Sequence, residues 1–179
     1  MSDTDIDLWS TDEVHFQQHG SRCRMWVPPE DTDPVLLHHP TRKSVGYFGA
    51  VRLRDGKCVF QRESGRFNAL TFHEFLKRLH RASSRSGRCV VVLTDNARYH
   101  HARLHKEWRR QRADRFTLDF LPPYSPDLNP IERLWKLTRR SCLHNRYFPS
   151  LDDVITSVES QFKKWSCGNE TVRRLCTIS

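Results

Sequence analysis

Residues 88–95 read Arg88-Cys89-Val90-Val91-Val92-Leu93-Thr94-Asp95. No polar residue interrupts the five from Cys89 to Leu93. A short unbroken apolar run of this kind is the signature of a strand covered on both faces, as in sheets with parallel neighbours and helices packed above and below. Open α/β sheets collect ligands and catalytic groups outside the carboxyl ends of such strands, and Asp95 sits at that end. The run therefore predicts a central strand and marks Asp95 as the best single candidate for chemistry.

The flanking segments build a layered sheet around it. Upstream, residues 69–81 place Leu70, Phe72, Phe75, Leu76 and Leu79 near helical spacing. Residues 44–53 and 58–61 are β-rich runs joined by Arg54-Asp55-Gly56-Lys57, whose Asp-Gly pair suits a hairpin. Residues 16–41 carry Pro28, Pro29, Pro34 and Pro40 and read as an extended arm or long loop, and residues 6–14 read as a first strand. Downstream, residues 97–113 are rich in helix formers, with Leu104 and Trp108 one turn apart, and residues 116–121 alternate like a strand. A proline turn at 122–126 leads to a helix opened by Asn129 and Pro130 and reaching about residue 145. Ser150 then caps a last helix with Leu151, Val154, Ile155, Val158, Phe162 and Trp165 on its apolar face. The expected fold class is α/β: one domain over 1–179, a mixed sheet flanked by helices, with an arm at about 17–43 and a tail at about 166–179.

The 179 residues suit one ordinary domain, and the net charge of +9, with Arg supplying 23 of the 30 basic residues, favours polyanions, because the guanidinium fork pairs with phosphate oxygens. Nucleic acid is the first partner to test. The apolar runs are too short for a spanning helix and the first residues, MSDTDID, are acidic with no hydrophobic stretch behind them. The expectation is a cytoplasmic protein with no membrane contact. Six scattered cysteines without a C-x-x-C pair read as reduced thiols.

Asp12 near the end of the first strand, Asp95 and Glu132 in the first turn of the 129–145 helix could meet at one sheet edge. Two carboxylates about 4 Å apart repel by roughly 4 kcal/mol at an effective dielectric near 20, so three together call for a counter-charge, and all-oxygen ligands select Mg²⁺ or Mn²⁺. A basic surface around such a centre fits phosphodiester chemistry. Each acid has a simpler reading. Asp95 could cap the next helix, Asn129-x-x-Glu132 matches a capping box, and Asp12 has Asp7 and Glu13 as rivals on its strand. His101 and His105 have the spacing of a helical zinc pair without a third ligand and read as a solvated helix face, while Trp135, Phe162 and Trp165 read as core.

Longer words decide between these readings: LTDNARYHHARL at 93–104 and FLPPYSPDLNPIERLW at 120–135, together with Asp12-Glu13. On these words the chain resembles the catalytic domain of mariner-superfamily DDE transposases, in the branch that includes bacterial insertion-sequence enzymes. The resemblance implies a ribonuclease H-like fold and a metal-binding catalytic triad of Asp12, Asp95 and Glu132 holding two Mg²⁺ ions, with Mn²⁺ able to substitute. It implies cleavage of double-stranded DNA at transposon ends by water, joining to target DNA by a 3′-hydroxyl, and a homodimer assembled on DNA at a bacterial nucleoid, with the arm reaching the other subunit. Asn96, His100 and Asn129 then stand beside the triad, and Arg98, Arg133, Lys136, Arg139 and Arg140 are the candidates for gripping the DNA backbone. Relatives carry a helix-turn-helix domain ahead of this one, which is expected to be absent here. That departure keeps a second reading open: a catalytically inactive, DNA-binding transposase remnant.

Overall fold

A computed structural model describes residues 5–19, 23–24, 37, 41–123 and 125–177. Five strands form one sheet: β1 (Ile6–Gln17), β2 (Ser44–Arg52), β3 (Cys58–Glu63), β4 (Cys89–Thr94) and β5 (Phe116–Phe120). Their order is β3-β2-β1-β4-β5, with β1–β2 and β2–β3 antiparallel and β1–β4 and β4–β5 parallel. The hairpin forms where expected, and Gly56 supplies the positive φ of 68° that its turn needs.

Helices cover the two faces. On one side α1 (Ala69–Ser83), capped by Asn68, presses Phe72, Phe75, Leu76 and Leu79 onto Trp9, Phe48, Ala50, Val90 and Val92. On the other, α3 (Ile131–Thr138), α4 (Leu151–Lys163) and α5 (Glu170–Cys176) enclose Val14, Phe16, Tyr47 and Val51, and Trp135, Phe162 and Trp165 are core as expected. Between β4 and β5 lies the short α2 (Lys106–Arg110). Ser150 caps α4 through a reciprocal pair of hydrogen bonds with Asp153.

The structure corrects several expectations. β4 is an interior strand as expected, paired with β1 and β5, but the middle of the five is β1, whose polar residues Asp7, Ser10 and Thr11 are buried along with its apolar ones. On β4 one row (Val90, Val92, Thr94) is sealed and the other (Cys89, Val91, Leu93) is half-buried. Leu70 and Leu104 are exposed rather than packed. The helix expected over 97–113 is broken into 3-10 turns at Arg98–His101 and Arg103–His105 before α2, since Ala97 and Ala102 adopt extended ψ angles. Two buried histidines, His100 and His105, bind inward at those breaks, so tertiary contacts override helix propensity. Residues 170–176, expected as tail, form α5. β1 runs on to Gln17, and most of the expected arm (residues 20–22, 25–36 and 38–40) lies outside the described residues, as does residue 124 of the proline turn. Among the described residues no helix is long and apolar enough to cross a membrane.

Candidate active site

The way α3 is seated on β1 builds one wall of the site. The Asn129/Glu132 capping box does not form. Asn129 is buried and turns its side chain to β1 instead: Ser10 Oγ donates to Asn129 Oδ1, and Asn129 Nδ2 donates to the Thr11 carbonyl at 3.2 Å. Ser10 Oγ in turn accepts the Ile131 amide at 3.2 Å, satisfying a donor of the first helical turn. With its capping role taken by β1, the Glu132 side chain is left free to line the cleft beside that strand.

One turn further along α3, Trp135 is buried and its Nε1 donates to Asp12 Oδ2 at 3.0 Å. Asp12 pairs in register with Gly49 on β2, and Gly49 with Phe60 on β3, so these three positions share the α3 face of the sheet. Burial, then the neighbouring Glu13 carboxylate, pushes the Asp12 carboxyl up to about 7, with Glu132 adding repulsion and the Glu13 amide and Trp135 pulling the other way.

The other wall behaves oppositely. Glu13 projects from the α1 face of β1 and accepts His100 Nε2 at 3.0 Å, while His100 Nδ1 lies 2.8 Å from Asp95 Oδ1. Burial opposes protonation of His100, yet its bonds to Asp95 and Glu13 carry it up to about 9. The His100 hydrogen bond holds the Asp95 carboxyl below its usual range. Asp95 Oδ1 also accepts the Ala97 amide at 3.1 Å, an Asx turn rather than the expected helix cap, since the 3-10 segment that follows has Ala97 at its N-cap and no side-chain capping bond.

Asp12, Asp95 and Glu132 thus reach one cleft of about 540 Å³ from three distant segments, with Asn96, Leu121, Pro122, Ser125 and Asn129 among its lining. The acidic and imidazole ligand atoms that close to within 4.8 Å of one another among the described residues are those of Glu13, Asp95 and His100, rather than the three expected acids. In this structure the group is held together by hydrogen bonds of the two His100 ring nitrogens to the Glu13 and Asp95 carboxylates. Of the nearby basic side chains, Arg98, Arg133, Lys136 and Arg140 are exposed. Arg139 lies over the Phe16 ring, 5.7 Å from its centroid. Arg133 Nη1 is spent on the Leu175 and Thr177 carbonyls at the end of α5, at 3.1 and 2.9 Å.

Asp7, the other rival of Asp12, is fully buried in an ion pair with Arg52 Nη1 at 3.1 Å and Arg54 Nε at 2.8 Å. His101 and His105 do not share a solvated face. His105 is buried, with Nε2 2.9 Å from the Tyr99 carbonyl, and His101 stacks on Phe120. Sequence reasoning missed Glu13, Ser10, Gly49 and the indole of Trp135. Only Glu13 had a signal, its place in the Asp-Glu pair.

Comparison with known proteins agrees with this architecture. The model of the family described as DDE superfamily endonuclease matches residues 7–155. An insertion element IS630 uncharacterized 39 kDa protein of Shigella sonnei is 28% identical over 156 residues, 87% of this chain and 41% of its own length. The Tcb2 transposase of Caenorhabditis briggsae is 41% identical over 80 residues, 41% of this chain and 28% of its own. The chain therefore spans less than half the length of these curated relatives. Among solved structures, the Mos1 mariner paired end complex with Mn superposes with a TM-score of 0.66 at 19% identity, over 96% of this chain and 51% of that one. The Mos1 catalytic domain alone gives 0.60 at 18% identity, over 94% of this chain and 74% of that one. The sheet order, the flanking helices and the family match lead to one conclusion: the chain belongs to the DDE superfamily endonucleases and has a ribonuclease H-like fold.

Proposed function

We propose that this domain cuts DNA strands and transfers them during transposition, using divalent cations held by Asp12, Asp95 and Glu132. The observation that carries the reading is the convergence of these three carboxylates, from β1, the end of β4 and the start of α3, on one cleft. The donor set is all oxygen, which suits Mg²⁺ or Mn²⁺, and Asp12 is half-buried beside other carboxylates, a local excess of negative charge that a cation would relieve. A pair of bound ions would activate water or a DNA 3′-hydroxyl and stabilise the leaving oxygen. The protein's part is to hold the carboxylates still: Asn129 seats the helix that carries Glu132, His100 clamps Asp95 from behind, and Asn96 lines the same cleft. Arg98, Lys136 and Arg140 are available to phosphates flanking the cut. Arg139 and Arg133 are partly engaged within the fold, which ranks them below these three. The substrate is double-stranded DNA, transposon end and target, engaged by a homodimer in the bacterial cytoplasm; Mos1, the fold neighbour, has been captured as a paired end complex.

Nicking of supercoiled DNA in Mg²⁺ or Mn²⁺ tests the reading. Asp95→Ala and Glu132→Ala should each abolish it with the fold retained, and nicking that survives in both variants would overturn the assignment. DNA binding without cleavage under Mn²⁺, falling steeply with salt, would instead identify an inactive remnant.

A further inference from the structure

We infer that Trp135 is a positioning residue for Asp12, and that Gly49 is the position on the sheet that makes room for it. The inference rests on Asp12 being a cation ligand, as proposed above. Its own evidence is steric. A Cβ built at Gly49 would lie 2.3 Å from Trp135 Cη2 and 2.9 Å from Cζ2, distances no side-chain carbon occupies. Position 49 is thus where β2 gives up a side chain so that an indole anchored on α3 can lie across the strand. The indole then reaches Asp12 on β1 with its single N–H at 3.0 Å, and its far edge meets Phe60 on β3, with ring centroids 6.1 Å apart.

Two consequences follow for the site. The indole N–H is given to Oδ2, so one oxygen of the Asp12 carboxylate is held at a set distance from α3. Trp135 also stands three residues after Glu132, on the same side of α3, so one helix presents both an acid and the group that orients another acid from β1. Thr11 Oγ1, donating to the Gly49 carbonyl at 2.7 Å, locks β1 to β2 beside this contact. A packing role alone requires no N–H aimed at a carboxylate. Groups that orient metal ligands in this way typically contribute tenfold to a hundredfold in metal affinity.

Mn²⁺ titration of the DNA-free protein, read by calorimetry or by the spin resonance of free Mn²⁺, tests this with folding followed by circular dichroism. Trp135→Phe keeps a ring and removes the donor, and should weaken Mn²⁺ binding about tenfold or more. It should also lower kcat for nicking while leaving KM for DNA unchanged. Gly49→Ala should mimic it by displacing the indole. The double variant Gly49→Ala/Trp135→Phe should bind Mn²⁺ no worse than Trp135→Phe, because the shorter ring lacks the clashing atoms. If Trp135→Phe unfolds the core, site-specific benzothienylalanine at 135 replaces the N–H by sulfur in a ring of nearly the same outline, and the same loss is expected. Wild-type affinity in the benzothienylalanine protein, or in a folded Trp135→Phe, would overturn the inference while Asp12→Asn still lost the ion. If Asp12→Asn bound Mn²⁺ as wild type does, the reading of the site and this inference would fall together.

Discussion

Two aspartates on β1, five residues apart, are withdrawn from solvent to different degrees and for opposite ends: Asp7 is fully buried and Asp12 half-buried. Asp7, at the start of the strand, is fully enclosed but faces two guanidinium groups, those of Arg52 and Arg54. Asp12, further along, has Glu13 and Glu132 for neighbours and an indole N–H as its side-chain hydrogen-bond donor. A buried carboxylate with cations supplied by the chain is finished structure, because its desolvation is already offset. One half-buried among like charges, with its carboxyl pushed up, has no such offset from the chain's own cations. The same strand thus shows what a structural acid and a candidate catalytic acid look like in physical terms.

The contrast can be broken or sharpened by experiment. The largest effect is expected at the finished end: Asp7→Ala empties a buried site and breaks the buried pair with Arg52, which keeps only Asp55, and should cost about 3–5 kcal/mol in chemical denaturation, and a variant as stable as wild type would remove Asp7 from its structural role. Asp12→Asn should do the reverse in metal-free protein. The Asp12 carboxyl ionises near pH 4 in the unfolded chain and at about 7 in the folded one, so folding takes up a proton between those values and wild-type stability falls as pH rises through that window. The asparagine variant escapes this penalty. Its advantage should be absent below about pH 4 and reach up to about 4 kcal/mol above pH 7. A gain that did not vary with pH would contradict the sign. Mn²⁺ at about 100 times its dissociation constant should stabilise wild type by about 2.7 kcal/mol and Asp12→Asn far less, measured as a shift in Tm at pH 8. The smallest effect is expected for Arg54→Ala. Its side chain is 44% exposed and Arg52 remains with Asp7, so about 1 kcal/mol or less should be lost.

What could be read from the residues follows the same physics. Periodicity and turn chemistry were enough for the hairpin at Gly56, for α1 and for the Ser150 cap, because those depend on neighbours in the chain. Asp12, Asp95 and Glu132 could be nominated because strand ends and specific words mark them, and all three line the cleft. The central place of β1 was hidden, since Asp7, Ser10 and Thr11 dilute its hydrophobic pattern and only their partners elsewhere in the chain explain their burial. The break of the 97–113 helix was hidden for the same reason: the chain leaves helical geometry at Ala97 and Ala102, on either side of the turn whose His100 meets Glu13, 87 residues away. Asn129 shows the local and distant readings in competition. The capping motif is intact in sequence, but its amide does more good bridging to β1.

One contact at the distal end of the chain reaches into this wall. Arg133, next to Glu132, closes over the last carbonyls of α5, while Val172 and Cys176 of α5 are buried within the core on the α3 side of the sheet. Residues 170–177 therefore act as a buttress, and a fusion partner or clipping there would be transmitted mechanically to the segment bearing the third acid. Handles for purification or labelling belong elsewhere on the molecule.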